Sequence, residues 1–251
     1  MHLDLASYTS IGGREVNEDS ALCLECEGAV VAAVADGLGG HGGGKIASSL
    51  VIKSLEEQAD ALAVCTREMV RSACEQANAA VLAAQTPQQR MKTTLALAIA
   101  GQEAMAFAHI GDSRIYYFHE GQIAYQSQDH SVSQLAVLTG SITADQIRFH
   151  EDRNKVLRAL GNENGAAPEI ELISRPLSEG DAILLCTDGF WEYVYEQEML
   201  HALKRAKSAE DWLARMTPLI ARRAKKNNDN NTAVAVMAKK PVKPLFGRVF
   251  A

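Results

Sequence analysis

Residues 93–126 read TTLALAIAGQEAMAFAHIGDSRIYYFHEGQIAYQ, and their spacing decides the fold. Four apolar runs, at 93–100, 103–110, 113–119 and 122–126, follow one another with almost nothing between them. They are rich in residues that fit a pleated, buried surface. Connections so short predict antiparallel hairpins, because parallel strands need a crossover of about a dozen residues. Working outward, strands are expected at 2–10, 20–26 and 29–36. Two Ala-rich helices with apolar residues three and four apart follow, at 43–62 and 66–85. Beyond a mixed region at 130–168, strands are expected at 169–174 and 182–187, helices at 196–206 and 208–226, and a last strand at 232–238. Strand groups interleaved with paired helices predict an α+β fold of two packed antiparallel sheets with helices outside. No repeat or low-complexity linker divides the chain, so one domain is expected over 1–240, with 241–251 as an extended C-terminal tail.

Composition narrows the function. A 251-residue chain with net charge −6 offers no electrostatic case for nucleic acid or anionic lipid. No apolar stretch is long enough to span a membrane, and the start, Met1-His2-Leu3-Asp4, lacks a signal-peptide pattern. A cytoplasmic monomer is the expectation. Five cysteines without framework spacing argue against a disulfide scaffold. Cys23 and Cys26 have half a zinc-site spacing but lie in an expected strand, where positions three apart face opposite ways.

Four aspartates stand at the edges of apolar runs. Asp36 ends Val30–Ala35, Asp112 follows Ala106–Gly111, Asp188 follows Ala182–Thr187, and Asp229 precedes Ala233–Val236. One such residue reads as a cap or turn. Four are better explained by convergence on divalent metal, because a buried carboxylate is costly unless paired or coordinated. Between the first two strands, Gly13-Arg14-Glu15-Val16-Asn17-Glu18-Asp19 reads either as a solvated hairpin loop or as phosphate-site furniture. In the second reading Arg14 holds a phosphate with its planar fork, and Glu18 and Asp19 hydrogen-bond metal-bound waters. The glycine segment 37–44 ending at Lys45 suggests a P-loop, but Ile46 stands where a Ser or Thr should hold magnesium. A P-loop nucleotidase is therefore a remote alternative, and one the antiparallel run at 93–126 opposes.

The chain resembles a known family. Arg14-x-x-Asn17-Glu18-Asp19, Asp36-Gly37-x-Gly39-Gly40-His41, Gly111-Asp112-Ser113-Arg114, Asp129-His130-Ser131, Arg158-Ala159-Leu160-Gly161, Thr187-Asp188-Gly189 and Asp229-Asn230-x-Thr232 occur in the order seen in metal-dependent serine/threonine protein phosphatases of the protein phosphatase 2C type, in compact bacterial form. The resemblance covers about residues 7–238. It implies a four-layer αββα sandwich with metals in a cleft at one end. Asp36 would bridge two ions, joined by the Gly37 carbonyl. Asp188 and Asp229 would complete the first ion, and Asp112 with Asp188 would hold a third. Arg14 would hold the substrate phosphate, and Glu18, Asp19 and Asn230 would support the ligands from behind. All-oxygen ligands favour manganese or magnesium. A water bridging two ions would then attack phosphorus without a phosphoenzyme.

Leu38 stands where some members carry an acid-donating His. His41, three residues later, is the candidate general acid. Residues 139–168 are expected to form a flap beside the site, with a turn at 139–143, an N-cap and a short helix. Arg148 and Arg153 are its candidate substrate contacts. The resemblance implies phosphorylated protein substrates and a cognate bacterial Ser/Thr kinase, in a secretion, cell-wall or stress pathway. The alternative is a regulatory module that binds phosphoproteins without turnover.

Overall fold

The structure is a computed structural model that describes residues 2–26, 28–39, 42–163 and 167–239. In chain order the strands are β1 (His2–Ser10), β2 (Ser20–Cys26), β3 (Ala29–Ala35), β4 (Gly37–Leu38), β5 (Lys92–Thr93), β6 (Leu95–Ala100), β7 (Met105–Ile110), β8 (Arg114–His119), β9 (Gln122–Gln126), β10 (Glu169–Ile173), β11 (Ala182–Cys186) and β12 (Asn231–Lys239). The helices are α1 (Gly43–Glu57), α2 (Ala59–Leu62), α3 (Arg67–Ala84), α4 (Val132–Leu138), α5 (Asp188–Trp191), α6 (Glu196–Arg205) and α7 (Ala209–Arg223), with a 3-10 turn at Ala144–Phe149.

Two five-stranded sheets, ordered β1-β12-β11-β8-β9 and β10-β7-β6-β3-β2, are antiparallel throughout. Side chains alternate along each strand, and here both faces are covered. Val30, Ala32 and Val34 point into the layer between the sheets, with Phe107, Ile115, Tyr117 and Ile183. Val31, Ala33 and Ala35 point to the helices on the other side, with Val51, Leu55 and Val81. On the first sheet Phe118 and Leu184 meet Trp212, Met199 and Met216 of α6 and α7. Double coverage is why these strands read as continuous apolar runs rather than alternating ones. The four-layer α+β sandwich is as expected, and wholly antiparallel sheets leave no place for a P-loop fold.

Three expectations need correction. Only β6–β7 and β8–β9 in the 93–126 run are hairpins. The step from β7 to β8 passes from the second sheet to the first, so Gly111-Asp112-Ser113 is a crossing between layers. Gly111 turns the chain at φ 102°, and a Cβ there would come within 2.6 Å of Thr94. The segment from Ile11 to Asp19 is likewise a crossing, because β1 pairs with β12 while β2 pairs with β3. Both crossings lie at one end of the sandwich, where β3 and β11 end and β12 begins. The helix expected over 43–62 breaks at Gln58, whose side chain donates to the Ser54 carbonyl at 2.8 Å, while its amide turns to Leu55. The short helix of the 139–168 segment is the 3-10 turn, capped by Thr143. The 241–251 tail lies outside the described residues.

Candidate metal centre

That end of the sandwich opens into a cleft of about 980 Å³, lined by Arg14, Glu18, Asp36, Gly37, Asp112, Asp188, Asp229 and Asn230 among others. Eight residues singled out in sequence therefore come together. Asp19 lies beneath them, buried, accepting a hydrogen bond from the Thr187 hydroxyl at 3.0 Å.

Backbone contacts hold each carboxylate while leaving its side chain to the cleft. The Asp36 amide donates to the Thr94 hydroxyl at 2.9 Å, and its carbonyl accepts from Thr94 N–H and Thr93 Oγ1 at 2.9 and 2.8 Å. Thr94 also bonds Ser113 at 2.7 Å, which ties the end of β3 to the Asp112 crossing. Trp191 donates from its indole to the Asp112 carbonyl at 2.9 Å. Asn230 works as a staple: its amide nitrogen donates to the Ile11 and Val16 carbonyls, and its oxygen accepts from Glu18 N–H. It fastens the Arg14 crossing to the start of β12. Glycine is needed where α1 meets the cleft, since a Cβ on Gly37 would lie 2.3 Å from the Gly44 backbone.

The carboxylates are crowded, and burial dominates their acidity. It pushes Asp112 up to about 7 and Asp19 up to about 6, and holds Asp36 and Asp188 well above the usual range. Neighbouring carboxylates add to each shift. Oδ1 of Asp19 and Oδ1 of Asp188 are buried without a hydrogen-bond partner. Arg14 neutralises one member, Asp229, at 2.7 Å. Orphaned anionic oxygens facing a polar cleft fit a divalent cation. Among the described residues no three of these carboxylates converge within 4.8 Å. They suit hard ions that take one or two protein carboxylates each and fill the remaining positions with water. The five cysteines are free, and burial raises Cys23 to about 11 and Cys74 to about 12, so none offers a thiolate.

The flap arginines do not share one fate. Arg148 is a correction: it is buried, its guanidinium bonds both Glu196 oxygens at 2.5 and 2.6 Å and the Trp191 carbonyl, and it has no free face for substrate. Arg153 is about a third exposed and donates to Glu192 at 2.7 Å. Glu192 was missed in the sequence. It follows Asp188 by four residues, one helical turn on, and its charge bears on both Asp188 and Asp112. That i, i+4 acid pair was the available signal. His41 lies outside the described residues.

A two-sheet sandwich with an acid-lined cleft where the chain crosses between sheets is the architecture the motif order implied. The chain belongs to the protein phosphatase 2C family, whose sequence model matches residues 8–236. It is 34% identical over 202 residues to the serine/threonine protein phosphatase PstP of Mycobacterium tuberculosis, covering 78% of this chain and 38% of that protein. It thus spans well under half of that relative's length. The serine/threonine phosphatase stp of Listeria monocytogenes is 30% identical over 207 residues, covering 79% of this chain and 81% of the relative. Among solved structures, the catalytic domain of PstP in complex with two manganese ions aligns with a TM-score of 0.77 at 29% identity, over 95% of this chain and 99% of that one. PppA of Pseudomonas aeruginosa, described as a key regulatory component of T6SS, aligns at 0.77 and 28% identity, over 95% and 98%.

Proposed function

We propose that this chain is a metal-dependent protein serine/threonine phosphatase that hydrolyses phosphoserine and phosphothreonine and opposes a Ser/Thr kinase in the cytoplasm. The observation that carries the reading is the set of carboxylates, buried Asp112 and Asp188 and half-buried Asp36, that no cationic side chain among the described residues pairs with. In this reading Asp36, the Gly37 carbonyl, Asp188 and Asp229 hold two manganese or magnesium ions, and Asp112 with Asp188 holds a third. Bound there, such ions supply an acidified water as nucleophile and positive charge for the phosphoryl oxygens.

The chain's own residues do the rest. Arg14 sits half exposed at the rim and can exchange its carboxylate partner, Asp229, for a phosphate, which its fork binds in two places. Glu18 and Asp19 order water around the ligands, and Asn230 keeps Arg14 and Asp229 in register. Arg153, partly exposed on Glu192 and next to the cleft-lining Asn154, is the proposed flap contact for an incoming phosphopeptide. His41 is the proposed acid for the leaving serine or threonine oxygen. Nothing here requires a covalent phosphoenzyme, in keeping with protonated thiols. The T6SS role stated for PppA supports a secretion-linked pathway, and the protein is proposed to act as a monomer.

The test is phosphate release from a phosphothreonine peptide. Release should need manganese or magnesium, stop on chelation and return on readdition. Binding of the phosphopeptide without release would instead make the chain a phosphoprotein-binding module.

A further inference from the structure

Behind the Asp112 crossing lies a second group of ligand-type side chains. His109 is the cross-strand partner of Glu169 in the β7–β10 pair. Its ring stacks on that of His130, with centroids 4.6 Å apart and planes within 12° of parallel. His109 is fully buried, while the side chains of His130 and Glu169 are 10% and 56% exposed. His109 donates from Nε2 to the Gln128 carbonyl at 2.7 Å, so its Nδ1 carries the free lone pair. That nitrogen is buried and has no hydrogen-bond partner. His130 Nε2 is also buried and unpartnered, standing 3.5 Å from Glu169 Oε2, an ion-pair distance rather than a hydrogen bond. Two orphaned imidazole nitrogens in one place are costly. Among the described residues this is the one group of three potential ligands whose donor atoms all lie within 4.8 Å of one another.

We propose that His109 Nδ1, His130 Nε2 and the Glu169 carboxylate form a site for one transition-metal cation of the zinc or copper class, separate from the carboxylate cleft. Two imidazoles and a carboxylate suit such borderline ions, whereas the all-oxygen cleft suits magnesium or manganese. Both rings are held neutral by burial, His130 down to about 4, so protons do not compete for the nitrogens near neutral pH. The exposed Glu169 is the entry point, and water completes the coordination. Tetrahedral bonds of about 2.0–2.1 Å put donors roughly 3.4 Å apart, so Glu169 swings inward, and the two rings tilt out of their parallel stack on binding because each nitrogen lone pair lies in its own ring plane. The Arg158 charge opposes the cation, and the Glu169 charge offsets it.

One proton must move. His130 Nδ1 accepts from the Gly111 amide at 3.2 Å, which places the ring proton on Nε2. Coordination at Nε2 shifts that proton to Nδ1 with no net change, and the Gly111 amide gives up this acceptor. The site does not depend on whether the cleft hydrolyses phosphoesters.

The experiment adds one equivalent of Cu²⁺ to the full chain in excess magnesium, which is diamagnetic, and reads nitrogen superhyperfine coupling by electron paramagnetic resonance, with Zn²⁺ affinity by calorimetry. Cleft ligands are oxygens and give no such coupling. Wild type should show coupling to two nitrogens and bind one zinc. His109→Gln and His130→Gln should lose the coupling, and Glu169→Gln should weaken zinc binding about tenfold or more. Glu169 is exposed, so that variant stays informative if a histidine variant fails to fold. Wild type without nitrogen coupling, or coupling and zinc affinity unchanged in Glu169→Gln and the folded histidine variants, would overturn the site.

Discussion

Asp129 and Asp188 are both buried carboxylates at strand ends, and they live in opposite circumstances. Asp129 is locked to Arg114 by two hydrogen bonds at 2.8 and 2.7 Å, and Arg114 also lies 3.5 Å over the Trp191 ring. Asp188 faces Asp112, Glu192 and Asp229 and has an oxygen with no hydrogen-bond partner among the described residues. The first charge is neutralised from within the fold. The second is left for something the chain does not supply. Burial costs the same kind of desolvation in both places, so the difference marks which carboxylates serve structure and which are kept for a ligand.

Removing the charge at each place should therefore have opposite consequences. Asp188→Asn or Asp36→Asn should lower phosphate release by roughly 10³-fold or more, about 4 kcal/mol of barrier, while the metal-free protein melts no lower than wild type. Asp129→Asn takes away the two-pronged partner of buried Arg114, leaving it only Glu196 at 3.7 Å, and should cost about 3–5 kcal/mol of stability, read from urea midpoints. If Asp188→Asn destabilised the metal-free protein as Asp129→Asn does, the two sites would be of one kind.

A smaller effect separates Arg14 from Arg114. Arg114 is a buried structural partner, whereas Arg14 sits at the rim. Arg14→Ala should raise KM more than it lowers kcat, by roughly 1–3 kcal/mol in kcat/KM. Manganese affinity, measured by calorimetry, should hold or improve, because Asp229 loses its competitor. Loss of manganese binding would make Arg14 part of the metal site.

The smallest effect is in pH. Asp112 titrates near 7 in the fold against an ordinary 3.8. A raised acid favours the folded state at low pH, and that contribution is lost as pH climbs from about 4 to about 7. Buried neutral His130 acts oppositely, adding stability as pH rises from about 4 to about 6.5, and burial of His109 works in the same direction. The comparison must therefore be with Asp112→Asn. Metal-free, this variant should melt several degrees above wild type at pH 8 and lose that advantage toward pH 4. An equal gap at both values would mean that the Asp112 charge carries no such penalty.

The sheets were legible because β3, β6, β7 and β11 are short apolar runs, and the layering followed from the helix pairs between them. What escaped was which consecutive strands pair and which part to different sheets. A link of two or three residues between strands spells a hairpin and a layer crossing alike, and only packing distinguishes Gly111-Asp112-Ser113 from the β8–β9 turn. The four aspartates could be read because each breaks an apolar run. Arg148 and Arg153 look equivalent in a polar loop. Their difference lies in Trp191 and Glu196, more than forty residues on, which bury the first and not the second. The His109–His130 pair was hidden for the same reason, although a histidine inside Ala106–Ile110 was a signal that could have been weighed.

The central claim, that cations balance the Asp36–Asp188 cleft, is tested most directly by melting chelated wild type at pH 8 with and without manganese, beside Asp188→Asn. The account predicts that manganese raises the wild-type Tm in a concentration-dependent way, and that the variant gains much less. Wild type and variant gaining equally, or neither gaining at all, would contradict it.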